Sequence, residues 1–369
     1  MAPDTVAVVG GGAVGLSAAH SLADRSVEVV LFERDDPGAG SSGRAAGICY
    51  DAFADRLDAE IARESLAWFR EQGLLVETPY VWAAREADSV AVAIREQVGQ
   101  MIDRGLDVSL LTDTEIDARF PAIRTGDITI AGLAENAGYL DPGATIDLLV
   151  ERARGSGVQL RRETPVRLAG KTAIETPDGR ESFDSVLVAA GAATGRLLSD
   201  IGIDLALGLY RAQAIEAEID NSDGIPIFYD ASTRFYARPT ASGVIAGNGA
   251  HEYDERLDHG GRFEFDQAGD DEFVVTTAER VEHRFGAGST VRDSWSGLCT
   301  ATPDRDPLVG ECAPGLYVST GWHGHGLMRA PAMGDWIAAQ ICGGDGIASF
   351  DPNRFDGDEE ITLPDGIVE

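Results

Sequence analysis

The 369-residue sequence predicts a fold that combines α/β with α+β architecture: one domain around a parallel sheet and one domain built on an antiparallel sheet. Three observations carry this prediction. Residues 5–32 have the pattern strand, glycine turn, helix and strand, and residues 186–190 form another short apolar run typical of a buried parallel strand. Residues 205–250 alternate polar and apolar side chains, which is typical of an antiparallel sheet.

The first turn has the sequence Gly-Gly-Gly-Ala-Val-Gly at residues 10–15. Gly10 permits a tight turn, Gly12 lets backbone amides approach a pyrophosphate, and Gly15 lets the helix pack closely on the strand. The acid Glu33 follows the second strand, where a carboxylate can accept hydrogen bonds from ribose hydroxyls. The pattern therefore predicts a Rossmann-type dinucleotide site, and it leaves open whether the nucleotide is NAD or FAD.

The remaining elements are assigned from periodicity and turn residues. Amphipathic helices are predicted over 55–72 and 86–104, and Asp141-Pro142-Gly143 introduces another helix that ends near residues 155–157. Short strands follow over 158–190, around the turn Pro177-Asp178-Gly179. Residues 351–369 are expected to form an acidic, peripheral tail.

The charge balance narrows the classes of partner. There are 30 Lys and Arg against 62 Asp and Glu, a formal net charge of −32, and Lys171 is the only lysine. Such a charge repels nucleic acid and anionic lipid surfaces, so neither is expected as a partner. An acidic, almost lysine-free composition is typical of cytoplasmic proteins of salt-loving organisms, where salt screens the self-repulsion. We therefore expect a halophilic protein.

Cysteine and histidine spacing gives no sign of a metal site or a disulfide framework. The four cysteines lie far apart, and the six histidines form no paired Cys/His pattern. The N-terminal residues include no basic region, and the first apolar run is interrupted by glycines. We expect a cytoplasmic protein without a transmembrane segment.

Four segments together suggest a family. They are residues 8–15 with Phe-Glu-Arg at 32–34, Ser-Ser-Gly-Arg-Ala-Ala-Gly-Ile at 41–48, Val-Ala-Ala-Gly-Ala at 188–192, and a C-terminal stretch that includes Trp-Ser-Gly-Leu at 295–298, Thr-Pro-Asp at 302–304 and Gly-Trp-His-Gly-His-Gly-Leu-Met at 321–328. In order and spacing the chain resembles the FAD-dependent D-amino acid oxidase superfamily, which includes glycine oxidase, sarcosine oxidase and dimethylglycine dehydrogenase. In that family the second segment runs beneath the flavin.

The motif and the resemblance imply a set of cofactor contacts. The expected FAD-binding residues are Gly10, Gly12, Ala13, Val14, Gly15, Glu33, Arg34, Ser41, Ser42, Arg44, Ala45, Ala46, Gly47, Ile48, Val166, Ala190, Gly191, Gly297, Gly321, Gly324, His325, Gly326, Leu327 and Met328. The glycine turn at 321–326 runs into a helical pattern, which places backbone amides and a helix N terminus where they stabilise the negative charge of a reduced flavin. The resemblance implies an FAD-binding domain of residues 1–75, 140–204 and 291–350, and a substrate domain of 76–139 and 205–290.

The chain departs from the family at several functional positions. Cys299 stands where glycine oxidase and D-amino acid oxidase carry the arginine that binds the substrate carboxylate. Gly297 stands where sarcosine oxidase has the cysteine linked to its flavin, so non-covalent FAD is expected. The two lysines of that enzyme correspond to Met328 and Ile245, and the missing amine above the flavin favours a dehydrogenase over an oxidase. A histidine such as His323 or His325 could take over the role of that amine.

The expected catalytic and substrate-contacting residues are His323, His325, Arg238, Arg329 and Tyr236. Either arginine could anchor a carboxylate, although arginines in so acidic a chain are commonly solvated ion-pair partners. Aromatic residues, namely Tyr50, Tyr236, Tyr253 and Trp295, could surround an alkylammonium group or simply pack in the core.

The function expected from the resemblance is FAD-dependent oxidation of an amino or imino acid, preferably a secondary or N-methylated amine, by hydride transfer to flavin N5. The electron acceptor is left open among a protein, a quinone and oxygen. Two alternatives are a 2-hydroxy acid dehydrogenase on the same fold and a non-redox FAD-fold binding protein. His323 and His325, which lie in the glycine turn at 321–326 (the flavin turn), argue against the non-redox binding protein.

Overall fold

The computed structural model describes residues 2–85, 89–220, 222–253, 257–258, 262–286, 288–356, 359–361 and 363. The helices in this part of the chain are α1 (Ala13–Asp24), α2 (Arg56–Glu71), α3 (Ser89–Asp103), α4 (Asp113–Arg119), α5 (Pro142–Gly155), α6 (Thr194–Ser199), α7 (Asp271–Phe285) and α8 (Gly326–Ile341). The described residues contain no helix that is both long and apolar enough to cross a membrane.

The strands up to residue 188 are β1 (Thr5–Val9), β2 (Glu28–Phe32), β3 (Ile48–Tyr50), β4 (Val76–Glu77), β5 (Tyr80–Ala84), β6 (Val108–Leu111), β7 (Ile130–Ala134), β8 (Ala137–Tyr139), β9 (Gln159–Arg161), β10 (Arg167–Gly170), β11 (Ala173–Thr176), β12 (Gly179–Ser182) and β13 (Ser185–Val188). The later strands are β14 (Gly208–Glu218), β15 (Ile227–Asp230), β16 (Phe235–Pro239), β17 (Gly243–Asn248), β18 (His251–Glu252), β19 (Thr290–Ala301), β20 (Leu308–Ala313) and β21 (Leu316–Thr320). The mixed α/β class expected from the sequence is confirmed.

The chain divides into two compact units. Unit 1 contains Met1–Ala45, Asp141–Tyr210 and Leu298–Leu363, and unit 2 contains Ala46–Leu140 and Arg211–Gly297. Residues 46–75, which the sequence places with the cofactor domain, fall in unit 2. The reason is strand pairing, because β3 and β4 both pair with β8 in a three-stranded sheet.

Unit 1 is built on a six-stranded sheet with the order β20-β21-β13-β1-β2-β9. The pairs that join β21, β13, β1, β2 and β9 are all parallel, and β20 is antiparallel at the edge. The carboxyl ends of parallel strands meet at one edge of a sheet. The loops after β1, β2, β13 and β21 therefore lie along the same edge of unit 1.

Helices α1 and α8 pack closely against each other in unit 1. A Cβ atom at Gly334 would lie 2.4 Å from the Ser17 side chain and 2.7 Å from the backbone nitrogen of Ala18. Only glycine allows this approach, which explains a glycine in the middle of a buried helix.

Unit 2 contains a sheet with the order β18-β14-β17-β16-β15-β5-β7-β6, with β19 paired to β14. The pairs β14–β17, β17–β16 and β16–β15 are antiparallel, as expected for residues 205–250. The pairs β5–β7 and β7–β6 are also antiparallel, and β15 pairs parallel with β5. One face of this sheet packs on a hydrophobic core that includes Val81, Phe228 and Ala237 together with residues of α4 and α7. Alternation places the neighbouring residues of each strand on the other face.

Local predictions were accurate where capping residues set the boundary. Helix α2 was predicted over 55–72, and the Asp55 side chain caps it by accepting hydrogen bonds from the backbone N–H groups of Leu57 and Asp58. Helix α3 begins at Ser89, and residues 86–88 of its predicted range lie outside the described residues. Residues 351–369 were expected to form a peripheral tail. In the described residues 351–356, Arg354 forms an ion pair with Asp304 at 2.7 Å and Pro352 is buried. Most residues beyond 356 lie outside the described part.

Candidate cofactor and substrate sites

The turn after β1 has the geometry of a close nucleotide-binding turn. Gly10 has φ +113°, and a Cβ atom there would lie 2.4 Å from the Ala189 carbonyl oxygen. A Cβ atom at Gly15 would lie 2.1 Å from the Gly10 carbonyl oxygen. Both positions therefore require glycine, the first for its left-handed backbone and the second for close helix–strand packing.

The N terminus of α1 is a positive site at this turn. Gly12 is its N-cap residue in an extended conformation, so it supplies no capping side chain, and the first turn of the helix contains no acidic residue. The Ser42 hydroxyl accepts a hydrogen bond from the Ala13 backbone N–H at 3.1 Å. The predicted segment 41–48 thus begins directly at the end of the helix where a phosphate is favoured.

Glu33 follows the last residue of β2, and its carboxylate is held by the turn. Its Oε2 accepts from the Gly11 backbone N–H at 2.7 Å, and its Oε1 accepts from the Asp35 backbone N–H at 2.8 Å. These two bonds fix the orientation of the carboxylate, whose oxygens each have a second lone pair for a further donor.

The turn between β21 and α8 lies at the same sheet edge. Gly321, His323 and Gly324 have φ values of +77°, +48° and +84°. The turn is tied to β19 because the His323 N–H donates to the Thr300 carbonyl at 2.9 Å and the Gly321 N–H donates to the Thr300 hydroxyl at 3.0 Å. Helix α8 then begins at Gly326, with N-cap residue His325 supplying no side-chain cap.

The groups at the start of α8 share a positive electrostatic environment. Burial, followed by the charges of Arg305 and Arg329, lowers the pKa of His323 to about 4. Burial, Arg329 and His323 lower the pKa of His325 to about 3. Arg329 is itself buried in the first turn of α8, where the helix dipole disfavours a cation. A bound anionic group would relieve this concentration of positive potential.

Tyr210 is a further candidate site residue, which the sequence did not reveal. Its hydroxyl bonds to the Cys299 thiol and lies 3.5 Å from the Cβ position of Gly324. Burial raises the pKa of Cys299 to about 11, so the thiol stays protonated. The position at which the resemblance led us to expect a carboxylate-binding arginine is thus a neutral thiol that contacts a tyrosine, and only the fold brings these two side chains together.

In unit 2, Tyr236 and Arg238 lie on the face of the sheet opposite the hydrophobic core. Arg238 is 6% exposed, and it donates from Nε to the Ala46 carbonyl at 2.5 Å and from Nη1 to the Pro239 carbonyl at 3.0 Å. Its guanidinium carbon lies 4.8 Å from the ring centroid of Tyr139. These contacts hold a buried cation in a fixed orientation.

The same sheet face carries an aromatic stack. Tyr80 and Trp82 of β5 stack at 5.4 Å between ring centroids, and Tyr50 stacks on Tyr80 at 4.6 Å. Tyr80 and Trp82 were not expected from the sequence, because their alternation is hidden in a run where all five residues are buried. Of the four aromatic residues proposed, Tyr253 donates to the Glu264 carbonyl, and its ring makes edge contacts with Phe263 and Phe265.

The predicted site residues divide between the units. Most of the expected cofactor residues, with His323, His325 and Arg329, lie in unit 1, and Ala46, Gly47, Ile48, Gly297, Tyr236 and Arg238 lie in unit 2. Glycine is required at position 47, just before β3, by the backbone: its φ is +76°, and a Cβ atom would lie 2.3 Å from the Leu140 carbonyl oxygen. Val166 packs against the apolar core of the unit 1 sheet. Arg34 pairs with its neighbour Asp35 at 3.0 Å, and Arg44 donates to the Ala39 carbonyl.

Comparison with known proteins decides the family. Residues 5–340 match the family described as FAD dependent oxidoreductase. The chain belongs to this family. It is therefore an FAD-binding flavoprotein, as the family resemblance implied, and FAD is the nucleotide that the glycine motif had left open.

Two curated relatives and one solved structure illustrate the similarity of this FAD-dependent oxidoreductase. It is 24% identical to 4-methylaminobutanoate oxidase (formaldehyde-forming) of Paenarthrobacter nicotinovorans, over 95% of this chain and 45% of that protein. It is 27% identical to glycine oxidase of Pseudomonas putida, over 89% of this chain and 91% of that protein. The chain thus spans less than half the length of the first relative. L-proline dehydrogenase from P. horikoshii shares the fold, with a TM-score of 0.83 and 23% identity over 96% of this chain and 98% of that chain.

The residues of unit 1 fit FAD. Gly10 and Gly12 have no side chain, and the N terminus of α1 lies beside them, which suits a pyrophosphate. The oriented carboxylate of Glu33 suits a ribose. Elsewhere along the same edge of the unit 1 sheet, α8 begins with free backbone amides, and Arg329 adds a positive charge. Both suit the part of the flavin ring that becomes negatively charged on reduction. The described residues contain no cluster of His, Cys, Asp and Glu that could hold a metal ion.

Proposed function

We propose that this FAD-dependent oxidoreductase oxidises an amino or imino acid, with a secondary or N-methylated amine as the preferred substrate. The observation that carries the proposal is a buried arginine, Arg238, on the aromatic face of the unit 2 sheet. A fixed cation suits a carboxylate, and the aromatic rings beside it suit the alkyl or alkylammonium part of the same molecule. The names of the relatives, which include an oxidase of a methylamino acid, support the same substrate class.

The residues of the chain contribute orientation and electrostatics. When bound between the residues described above, FAD would supply the hydride-accepting N5 atom for the carbon next to the amine. Arg238 binds the carboxylate, and the ring of Tyr236 packs against the substrate and excludes water from it. Arg329 and the amides at the start of α8 stabilise negative charge on the cofactor side. The imine product is hydrolysed by water.

The absence of an amine group near the flavin turn favours a dehydrogenase. The only lysine, Lys171, lies between β10 and β11 in a separate three-stranded sheet of unit 1. His323 and His325 are kept neutral by their lowered pKa values, so neither supplies a cation for oxygen reduction at neutral pH. An electron-carrier protein or a quinone is therefore proposed as the acceptor ahead of oxygen, in the cytoplasm of a salt-loving cell.

The cofactor is proposed to be held without a covalent bond. Gly297 offers no side chain for attachment, and burial raises the pKa of the Cys299 thiol, which disfavours a nucleophilic thiolate. Acid precipitation is expected to release all yellow colour into the supernatant. Colour that stays in the pellet would contradict this part of the proposal.

Anaerobic flavin bleaching tests the function directly. The purified protein, in high salt, is mixed with primary, N-methylated, cyclic imino and 2-hydroxy acids, and flavin absorbance is followed. Fastest bleaching by an N-methylated or imino acid is the expected result. Bleaching by 2-hydroxy acids alone would select the alternative substrate class. No bleaching by any member of the panel would contradict the proposed function. Reoxidation rates with oxygen, a quinone analogue and a ferricenium salt then separate oxidase from dehydrogenase.

A further inference from the structure

His323 carries its single proton on a defined ring nitrogen. Its Nε2 accepts a hydrogen bond from the Thr302 backbone N–H at 2.9 Å. The Thr302 hydroxyl lies 2.8 Å from the same nitrogen and 2.7 Å from the Asp306 carbonyl oxygen, so the backbone N–H is the contact that assigns Nε2 as an acceptor. A backbone N–H can only donate, so Nε2 is an acceptor and the proton of the neutral ring lies on Nδ1. The backbone N–H of Thr302, the residue that follows β19, therefore selects the tautomer.

The Nδ1–H group has no acceptor among the residues that the structure describes. His323 is 9% exposed, and the Nδ1 atom itself is buried. Buried donors are almost always satisfied, by protein, water or ligand. The contact with Thr302 accounts for Nε2 alone, and a structural role for this side chain leaves the second nitrogen unexplained.

The backbone conformation of His323 is energetically unfavourable. Its φ of +48° lies in the left-handed region, which disfavours a residue with a Cβ atom. Glycine would fit this turn more easily, as it does at the neighbouring positions Gly321 and Gly324. The imidazole is thus placed between two glycines, next to the N terminus of α8 and the charge of Arg329, where unit 1 favours an electron-rich group.

We propose that the Nδ1–H of His323 donates a hydrogen bond to the bound flavin ring and stabilises its reduced, negatively charged form more than its oxidised form. His323 is then a residue that raises the reduction potential of the cofactor without changing its own protonation. The inference rests on the proposed function only in requiring FAD as the cofactor, and it is independent of the substrate. The low pKa keeps the ring a neutral donor in one tautomer across the physiological range.

Two substitutions separate the two ring nitrogens. In His323→Asn the side-chain amide nitrogen can take the place of Nδ1, so the donor is kept and the contact with Thr302 is lost. In His323→Gln the longer side chain can reach the place of Nε2, so an acceptor for Thr302 is kept and the Nδ1 donor is lost. A merely structural role predicts that Gln is the milder change, and the proposal predicts the opposite for the flavin.

The test is a reductive titration of each FAD-loaded variant with dithionite against a reference dye, without amine substrate. His323→Gln is expected to lose about tenfold in the preference for reduced over oxidised flavin, which lowers the two-electron potential by about 30 mV. His323→Asn is expected to keep most of the parent potential. Equal potentials in the parent and His323→Gln, or an equal fall in both variants, would overturn the proposal.

A measurement on the unsubstituted chain keeps the proposal falsifiable if a variant folds poorly. In protein labelled with ¹⁵N-histidine, the proton on Nδ1 of His323 is expected to move downfield when FAD binds, with Nε2 unprotonated before and after. An unchanged Nδ1–H signal would overturn the proposal.

His283→Asn is the control for the redox titration, because the His283 side chain is 52% exposed on α7 of unit 2. The flavin potential of this variant is expected to equal that of the parent. A parent chain that binds no FAD would instead reject the cofactor assignment itself.

Discussion

The hydroxyl oxygen of Tyr236 lies 2.5 Å from the point where a Cβ atom at Gly247 would stand. The two residues are paired on the neighbouring strands β16 and β17, so the tyrosine ring lies across a strand position that has no side chain. Trp82 has the same relationship with Gly132, whose Cβ atom would lie 2.2 Å from the indole ring. On the aromatic face of unit 2, glycine thus fixes where two large rings lie.

Substitution of this glycine tests the role of Tyr236. In Gly247→Ala the new Cβ atom would meet the Tyr236 hydroxyl and, at 2.6 Å, the Gln213 carbonyl oxygen of β14, so the ring and the neighbouring strand are both expected to move. We expect kcat/KM to fall at least tenfold, about 1.4 kcal/mol, while FAD affinity stays unchanged. Steady-state kinetics and flavin content are the measurements. Gly99→Ala in helix α3 is the control, since a Cβ atom there meets nothing within 4 Å. Unchanged kinetics in Gly247→Ala would place Tyr236 outside the substrate site.

Glu33→Ala is expected to weaken FAD binding. The substitution removes a carboxylate that the Gly11 and Asp35 amides orient, and with it a charge-assisted hydrogen bond worth about 1.5–3 kcal/mol, or roughly a 10- to 150-fold rise in Kd. Titration of the apoprotein with FAD, followed by quenching of flavin fluorescence, gives the Kd. Glu28→Ala, at the exposed first residue of the same strand, is expected to leave it unchanged. The ribose assignment fails if both variants bind FAD equally well.

Substrate anchoring is expected to depend on Arg238, the proposed anchor, and Arg329 is the second candidate that the sequence offered. Truncation of the true anchor to alanine should cost about 2–5 kcal/mol in apparent binding, because a desolvated carboxylate is left without its cation. Values of kcat/KM for a verified carboxylate substrate measure this cost. Arg292→Ala, which breaks an exposed ion pair with Glu218, is the control. If Arg238→Ala and Arg329→Ala both stay within about threefold of the parent, roughly 0.7 kcal/mol, the proposed anchors are wrong.

The buried cluster of Arg284, Asp230 and Asp127 is expected to make a large contribution to the free energy of unfolding of unit 2. Arg284 and Asp230 have side chains 1% exposed and lie 3.1 Å apart, and Arg284 also pairs with Asp127 at 2.8 Å. Burial opposes ionisation of Asp127, but His283 and the two arginines Arg284 and Arg85 outweigh it and lower its pKa to about 2. The part of the cluster that depends on Asp127 should therefore persist down to about pH 4 and be lost as the pH falls towards 2.

Arg284→Met leaves Asp230 with one arginine partner fewer in the interior and is expected to lower the free energy of unfolding by about 3–5 kcal/mol. Urea unfolding in high salt gives this value. Arg119→Met, which removes an exposed partner of Glu135, is expected to cost at most about 1 kcal/mol. Similar losses in both variants would show that burial of the cluster is not what makes it important.

Stability is expected to rise with salt. The formal net charge is −32, and raising the salt concentration from about 0.1 M to 1 M shortens the screening length from about 10 Å to about 3 Å, which weakens repulsion between carboxylates. Thermal unfolding of the FAD-loaded protein over this range is the measurement. A Tm that stays flat or falls would contradict the halophilic interpretation.

Features encoded by neighbouring residues were predictable. The requirement for glycine at positions 10 and 15 and the Asp55 cap of α2 depend on contacts within a turn or one supersecondary unit, so short sequence patterns carry them. The charge of −32 is likewise a property of composition alone. From the motif at 41–48, residues 46–75 were assigned to the cofactor domain, but they fall in unit 2 of the structure. The reason is that β3 pairs with β8, about 90 residues away in sequence.

The sequence by itself determined the dinucleotide turn, the class of both sheets and the family, because these depend on local backbone geometry and on periodic burial. The tertiary structure alone decided which side chains meet: Tyr210 with Cys299, Tyr80 and Trp82 on the face that carries Arg238, and Thr302 with His323. Such contacts depend on strand order and register across the whole chain, and a register shift of one residue would turn each side chain to the other face. The tautomer of His323 is therefore set by a backbone N–H group 21 residues away, for which the sequence contains no local pattern.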